Sequence, residues 1–167
     1  MHGSACNPSR ARMLAYYHVI EFIHIFTAIV ALGTSAGLGI VLEFYADHPV
    51  HGAFILEIIR RLLTRLVLPG YLLMLLTGLG MVSAAELWTA QWVRTAIALW
   101  CVGLLALVGD QTLLARQLRE LTAAGRDSAR YRRLALAGRA VGAAAGLIVA
   151  VLIYVMVFRP EAGWLPW

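Results

Sequence analysis

Two imidazoles and a carboxylate stand at H-x-x-E-x-x-H spacing inside an otherwise apolar stretch. They are His18, Glu21 and His24, within YYHVIEFIHIFTAIVALGTSAGLGIVLEFYA from Tyr16 to Ala46. At 100° per residue their side chains spread over about 120° of a helix, so all three can face the interior of a bundle. Ionisable side chains in a membrane are costly, and they mark function by default.

Three chemistries use such residues. In the first, His24 donates a hydrogen bond to a neighbouring helix and Glu21 pairs with Arg94, which enters the third apolar span at a similar depth. In the second, His24 ligates a haem b, since neutral imidazole is a standard axial ligand. No later apolar stretch holds a second histidine. The sixth ligand is then Met81 by depth, or Met74 deeper in. A five-coordinate haem, or one shared by two subunits, remains open, and Glu21 and Arg94 would handle a proton or a propionate. In the third, Glu21-x-x-His24 has the i, i+3 spacing of di-iron carboxylate bundles. That site needs further carboxylates, and the later spans add only Asp110, at the far end. Asp47, His48 and His51 in ADHPVHG form another histidine-rich group, read as a solvated loop because no fourth ligand accompanies them.

These residues need helices to hold them. The 167-residue chain is 61% hydrophobic and 14% charged, against about half and a quarter in soluble domains. All fourteen basic residues other than histidine are arginines. A catalytic lysine is thereby excluded. The positive charge is confined to loops, so the net charge of +5 does not point to nucleic acid. Cys6 and Cys101 make neither a disulfide framework nor a CxxCH haem attachment site. A phosphate loop, a nucleophile–base pair and a nucleotide fingerprint are all missing from the sequence, and whether the protein is an enzyme stays open.

A membrane-spanning helix needs about 20 apolar residues. Four stretches qualify, at about 16–42, 66–85, 91–108 and 136–158. The expected fold is an all-α membrane protein, a four-transmembrane-helix bundle over residues 16–159. Tails cover 1–15 and 160–167. Span three continues through DQTLLARQLRELTAAG, so a cytoplasmic helical hairpin should extend from the bundle, with a stop at Gly125 and an N-cap at Asp127 or Ser128. HGAFILEIIRRLLTRLV is amphipathic and should lie on the membrane or lead into span two, where Pro69 would kink it.

Arginines cluster between spans three and four (Arg116, Arg119, Arg126, Arg130, Arg132, Arg133 and Arg139) and between spans one and two (Arg60, Arg61 and Arg65). The positive-inside rule makes that side cytoplasmic and both termini periplasmic, in a bacterial inner membrane. Arg10 and Arg12 oppose the rule, and a start at Met13 would remove them. Tyr16, Tyr17, Trp88, Trp92, Trp164 and Trp167 fall at the outer level as an interfacial belt. The Arg-rich hairpin should meet anionic lipid head groups. Glu43 and Asp110, near the inner boundary, should pair with arginines. Gly33 and Gly37 in span one, and Gly138, Gly142 and Gly146 in span four, should let helices approach closely, within the chain or against a membrane protein partner or second copy.

The segments FIHIFTAIVALGTSAGLGI, RRLLTRLVLPGYLLMLLTGLGMV and WTAQWVRTAIAL together resemble small bacterial four-helix membrane proteins over about residues 16–100. That group includes the uncharacterised "predicted integral membrane protein" families, the four-helix membrane protoporphyrinogen oxidase and copper-resistance-type membrane domains. The resemblance to the oxidase implies a haem-binding role for His24. The oxidase also uses a lysine in its third helix, whereas VRTAIALW after Trp92 holds Arg94 and no lysine. Arginine does not give up its proton. The functional expectation is a small redox-linked membrane protein binding haem or porphyrin through His24. The alternative is a non-catalytic accessory or assembly subunit of a larger membrane complex, with Glu21, Arg94 and His24 structural.

Overall fold

A computed structural model describes residues 8–46, 48 and 50–160. Asp47, Cys6, Trp164 and Trp167 lie outside them. The described residues are helical apart from short turns. They form α1 (Pro8–Tyr45), α2 (Gly52–Leu62), a π-helical turn (Leu63–Val67), α3 (Leu68–Ala84), a 3-10 turn (Leu87–Thr89), α4 (Gln91–Ala124) and α5 (Ala129–Phe158). Four helical stretches are long and apolar enough to cross a membrane: Ala15–Tyr45, Gly52–Ala84, Gln91–Ala124 and Ala129–Phe158. The protein is therefore an all-α bundle of four candidate spans, as the hydropathy pattern predicts.

The helices associate as two pairs. α1 packs along α3 and α4 along α5, while α1 meets α5 and α3 meets α4 over far fewer residues. Small residues explain the first pair. A Cβ on Gly70 would come within 2.9 Å of the Ala31 methyl, and one on Gly78 within 3.0 Å of His24 Cε1. Glycine at both positions lets α3 lie close against α1, the usual device where lipid gives no hydrophobic drive to association. The second pair is a hairpin. Gly125 ends α4 at φ 76°, where a side chain would be strained. Ser128 then caps α5, its Oγ accepting from Tyr131 N–H at 3.1 Å and donating to Glu120 at 2.7 Å.

The amphipathic stretch leads into span two and does not lie flat. α2, the π turn and α3 form one 33-residue helix, about 50 Å long. Leu56 and Ile59 of α2 are 1% and 2% exposed, on an element packed against α4. The outer stripe is charged: Glu57 accepts from Arg60 at 3.0 and 3.1 Å and from Arg61 at 2.7 Å. Pro69 ends no helix. The π turn immediately precedes it, with Leu68 N–H donating to the Leu63 carbonyl, five residues back. A widened turn takes up the strain of a proline ring against the preceding carbonyls.

At the hairpin end, Arg126 reaches the α1–α2 connection and donates to the His48 carbonyl. His48 Nδ1 accepts from Val50 and His51 N–H groups at 3.3 and 3.2 Å. That histidine organises a turn, and no group of three or more metal-binding side chains occurs among the described residues.

Two expectations need correction here. Arg139 does pair with Glu43, at 3.1 Å, but Asp110 Oδ1 is buried without a hydrogen-bond partner. The glycines of α1 and α5 also behave unlike those of α3. A Cβ on Gly33, Gly37, Gly138, Gly142 or Gly146 would meet nothing within 4 Å. Gly138, Gly142 and Gly146 border a cleft between α1 and α5, Gly33 and Gly37 are exposed, and none of the five makes a close contact within the chain.

Candidate functional site

His24 sits halfway along the α1/α3 contact. Its ring lies over Gly78, whose missing side chain makes the room. Nδ1 is 2.8 Å from the Met74 carbonyl and 3.1 Å from Thr77 Oγ1. A carbonyl oxygen only accepts, so Nδ1 carries the proton and donates to it. In the neutral ring Nε2 is then the lone-pair nitrogen. Among the described residues Nε2 has no hydrogen-bond partner. Thr77 donates its own hydroxyl to the Leu73 carbonyl at 2.8 Å, which holds it beside the imidazole.

His24 borders a cavity of about 290 Å³ between the two helix pairs. Glu21 and Tyr17 line it from α1, Met74 and Met81 from α3, Trp92 and Trp100 from α4, and Met156 and Arg159 at the end of α5. Four residues singled out by spacing and depth, His24, Glu21, Met81 and Met74, thus share one chamber. Trp100 lines the deeper end and backs onto Tyr71. Tyr71 and Trp100 stack with ring centroids 5.4 Å apart, and Trp100 Nε1 donates to the Tyr71 carbonyl at 3.2 Å.

Arg94 is not part of this chamber. It is exposed and does not line the cavity, and no ion pair joins it to Glu21. Glu21 instead contacts His18 Nδ1, one turn away, at 3.2 Å. The reason is the order of the helices. α4 stands diagonally across from α1, which has α3 and α5 as its neighbours. Matching depth therefore does not bring Arg94 to Glu21.

The cavity's cation is Arg159, which spacing within the spans does not reveal. It follows the last turn of α5 at φ 44°, and its guanidinium lies over Trp92, 5.4 Å from the ring centroid. The sequence signal for it is weak: an arginine just past a span, at the level of an interfacial tryptophan. The chamber thus offers an imidazole lone pair, thioether sulfurs, a carboxylate and a guanidinium in an apolar wall. This set suits a planar, partly acidic ligand.

No curated protein and no solved structure matches this chain. One family does, over residues 18–160, which takes in the four candidate spans apart from the first three residues of span one and the whole lining of the chamber except Tyr17. The chain belongs to the family described as "Predicted integral membrane protein (DUF2269)".

Proposed function

We propose that the protein is a small redox-linked membrane protein that binds haem through His24. The observation that carries this reading is the 2.8 Å contact of His24 Nδ1 with the Met74 carbonyl. Metal-ligating histidines almost always donate their second N–H to a carbonyl or carboxylate, which fixes the tautomer and raises the basicity of the ligating nitrogen. Met74 does this for His24, leaving Nε2 as the free donor atom beside the chamber.

The residues present fit the group. His24 would supply an imidazole nitrogen to the iron, Met81 is the available thioether, and Arg159 would neutralise a propionate. A chamber of about 290 Å³ lies just below the range of about 300–1,000 Å³ for ligand sites, so a macrocycle would have to widen it. It lies along the loose seam between the helix pairs, and that seam gives a flat macrocycle its way in from lipid. When bound, haem supplies one-electron chemistry. The chain's own residues orient the imidazole and place Glu21 in the chamber wall.

The orientation with both termini periplasmic in a bacterial inner membrane belongs to the same proposal. It is supported by the arginines gathered around the α4–α5 turn. That cluster would meet anionic head groups at about 1 kcal/mol per arginine near the surface.

The test is an absorbance spectrum of detergent-purified protein expressed with haem available, oxidised and dithionite-reduced. A Soret band that shifts on reduction is expected in the wild type and should vanish in His24→Gln. Glutamine can still donate to the Met74 carbonyl, so loss of the band would report ligation and not unfolding. A flat spectrum from folded wild-type protein overturns the reading. It would leave an accessory subunit, with His24 serving to join α1 to α3.

A further inference from the structure

A second cavity lies on the opposite side of the Tyr71–Trp100 stack from the His24 chamber. It is a cleft of about 540 Å³ between α1 and α5. Its α5 wall is the bare backbone of Gly138, Gly142 and Gly146, and its α1 wall includes Gly39. Open glycine alone would say little. Two residues of its lining say more, because Tyr71 and Asp110 each carry a buried polar atom without a partner, Oη and Oδ1. Tyr71 is only 4% exposed, and its hydroxyl lies against Gly103 on the cleft wall. An unsatisfied hydroxyl in a membrane interior is costly, and lipid tails cannot satisfy it.

We infer that this cleft binds an isoprenoid quinone, its oxygen-bearing ring held by Tyr71 and Asp110 and its chain lying along the α5 glycines. The polar groups set the head. The Tyr71 hydroxyl donates to a quinone carbonyl or accepts from a quinol hydroxyl, and Asp110 Oδ1 accepts from a hydroxyl. Gly103, against which Tyr71 rests, and Asp110 are seven residues apart on α4. They lie on one face about 10 Å from each other, so an occupant that meets both carries oxygens on opposite sides of its head. The charge at the rim argues against an ionic head, since Glu43 and Arg139 already neutralise each other at 3.1 Å.

From Gly138 to Val149 the cleft follows α5 for about 16 Å, three turns, a run along which one slender chain with a compact head can lie.

The inference does not depend on His24, and its test separates the two sites. The full chain in detergent is titrated with a benzoquinone carrying a decyl tail, following quenching of tryptophan fluorescence, since Trp100 stacks directly on Tyr71. Saturable quenching is expected for the wild type and unchanged for His24→Gln. Gly142→Leu should abolish it; its side chain meets no neighbour at its base, so the fold is kept. Tyr71→Phe should weaken binding roughly tenfold, the loss of one buried hydrogen bond. Unsaturable quenching equal in all variants would overturn the inference, as would displacement of the quinone by monoolein at equal concentration. A wild-type dimer that Gly142→Leu converts to monomer, with no quinone bound, would overturn it in favour of a second copy.

Discussion

Replacing Gly70 by alanine should force α1 and α3 apart, and the cost can be worked from one distance. The new methyl would stand 2.9 Å from the Ala31 methyl, where carbon atoms prefer about 3.5–4.0 Å. Ala31 is fully buried and its side chain has no rotamer to escape into, so the helices themselves must move by roughly 0.6–1 Å. Overpacking of this kind costs about 1–3 kcal/mol. Alanine also gains about 1 kcal/mol over glycine in a helix, which leaves a net destabilisation of up to about 2 kcal/mol in the wild-type background. In Ala31→Gly the clash is gone. The remaining neighbours are Thr27 Cγ2 at 3.7 Å and Ala31 Cα at 3.8 Å, both ordinary contacts. Gly70→Ala should there be neutral or stabilising. Denaturation in mixed micelles, followed by far-ultraviolet circular dichroism for the four proteins of the cycle, measures the coupling. The same effect of Gly70→Ala in both backgrounds would refute a close α1/α3 approach at this point, and with it the geometry that delivers His24 to the Met74 carbonyl.

Other outcomes follow from single contacts. Ser128→Ala removes the cap of α5 and should lower stability by about 1 kcal/mol in the same assay. Arg126→Gln frees the His48 carbonyl, so amide exchange at Gly52 and its neighbours should quicken while the spans stay protected. Glu43→Gln breaks an ion pair whose members are 60% and 38% exposed, and should change stability by less than about 1 kcal/mol. A larger loss would mean that the pair joins α1 to α5 more firmly than its exposure suggests.

The spans were legible because 20-residue apolar runs have few other uses. The hairpin was legible because Gly125 and Ser128 carry their backbone roles in their types. Pairings between helices were not. A glycine within a span reads the same whether it receives a neighbouring helix, as Gly70 and Gly78 do, or borders a cleft, as Gly142 does. Depth along a helix is readable from sequence, but azimuth around a bundle is not, so Arg94 was matched to Glu21 across a diagonal. His24 and Glu21 were readable as interior residues from their cost in lipid. The partner that fixes the His24 tautomer is a main-chain carbonyl, and backbone acceptors leave no mark on residue type.

The π turn at Leu63–Val67 carries one consequence for how this chain tolerates changes of length. Such a turn holds one residue more than the α-helix around it requires, so α2 is rotated by about 100° relative to a straight continuation of α3. That offset sets where Leu56 and Ile59 point along α4. Deleting one residue elsewhere in the long helix, at Leu76 for instance, would swing every side chain on one side of the cut out of register. Deleting Leu66 would let the turn close to regular α geometry and absorb the loss where it occurs. The segment before Pro69 is in effect a built-in splice, the one stretch of the second span where a residue can be removed while both faces keep their neighbours.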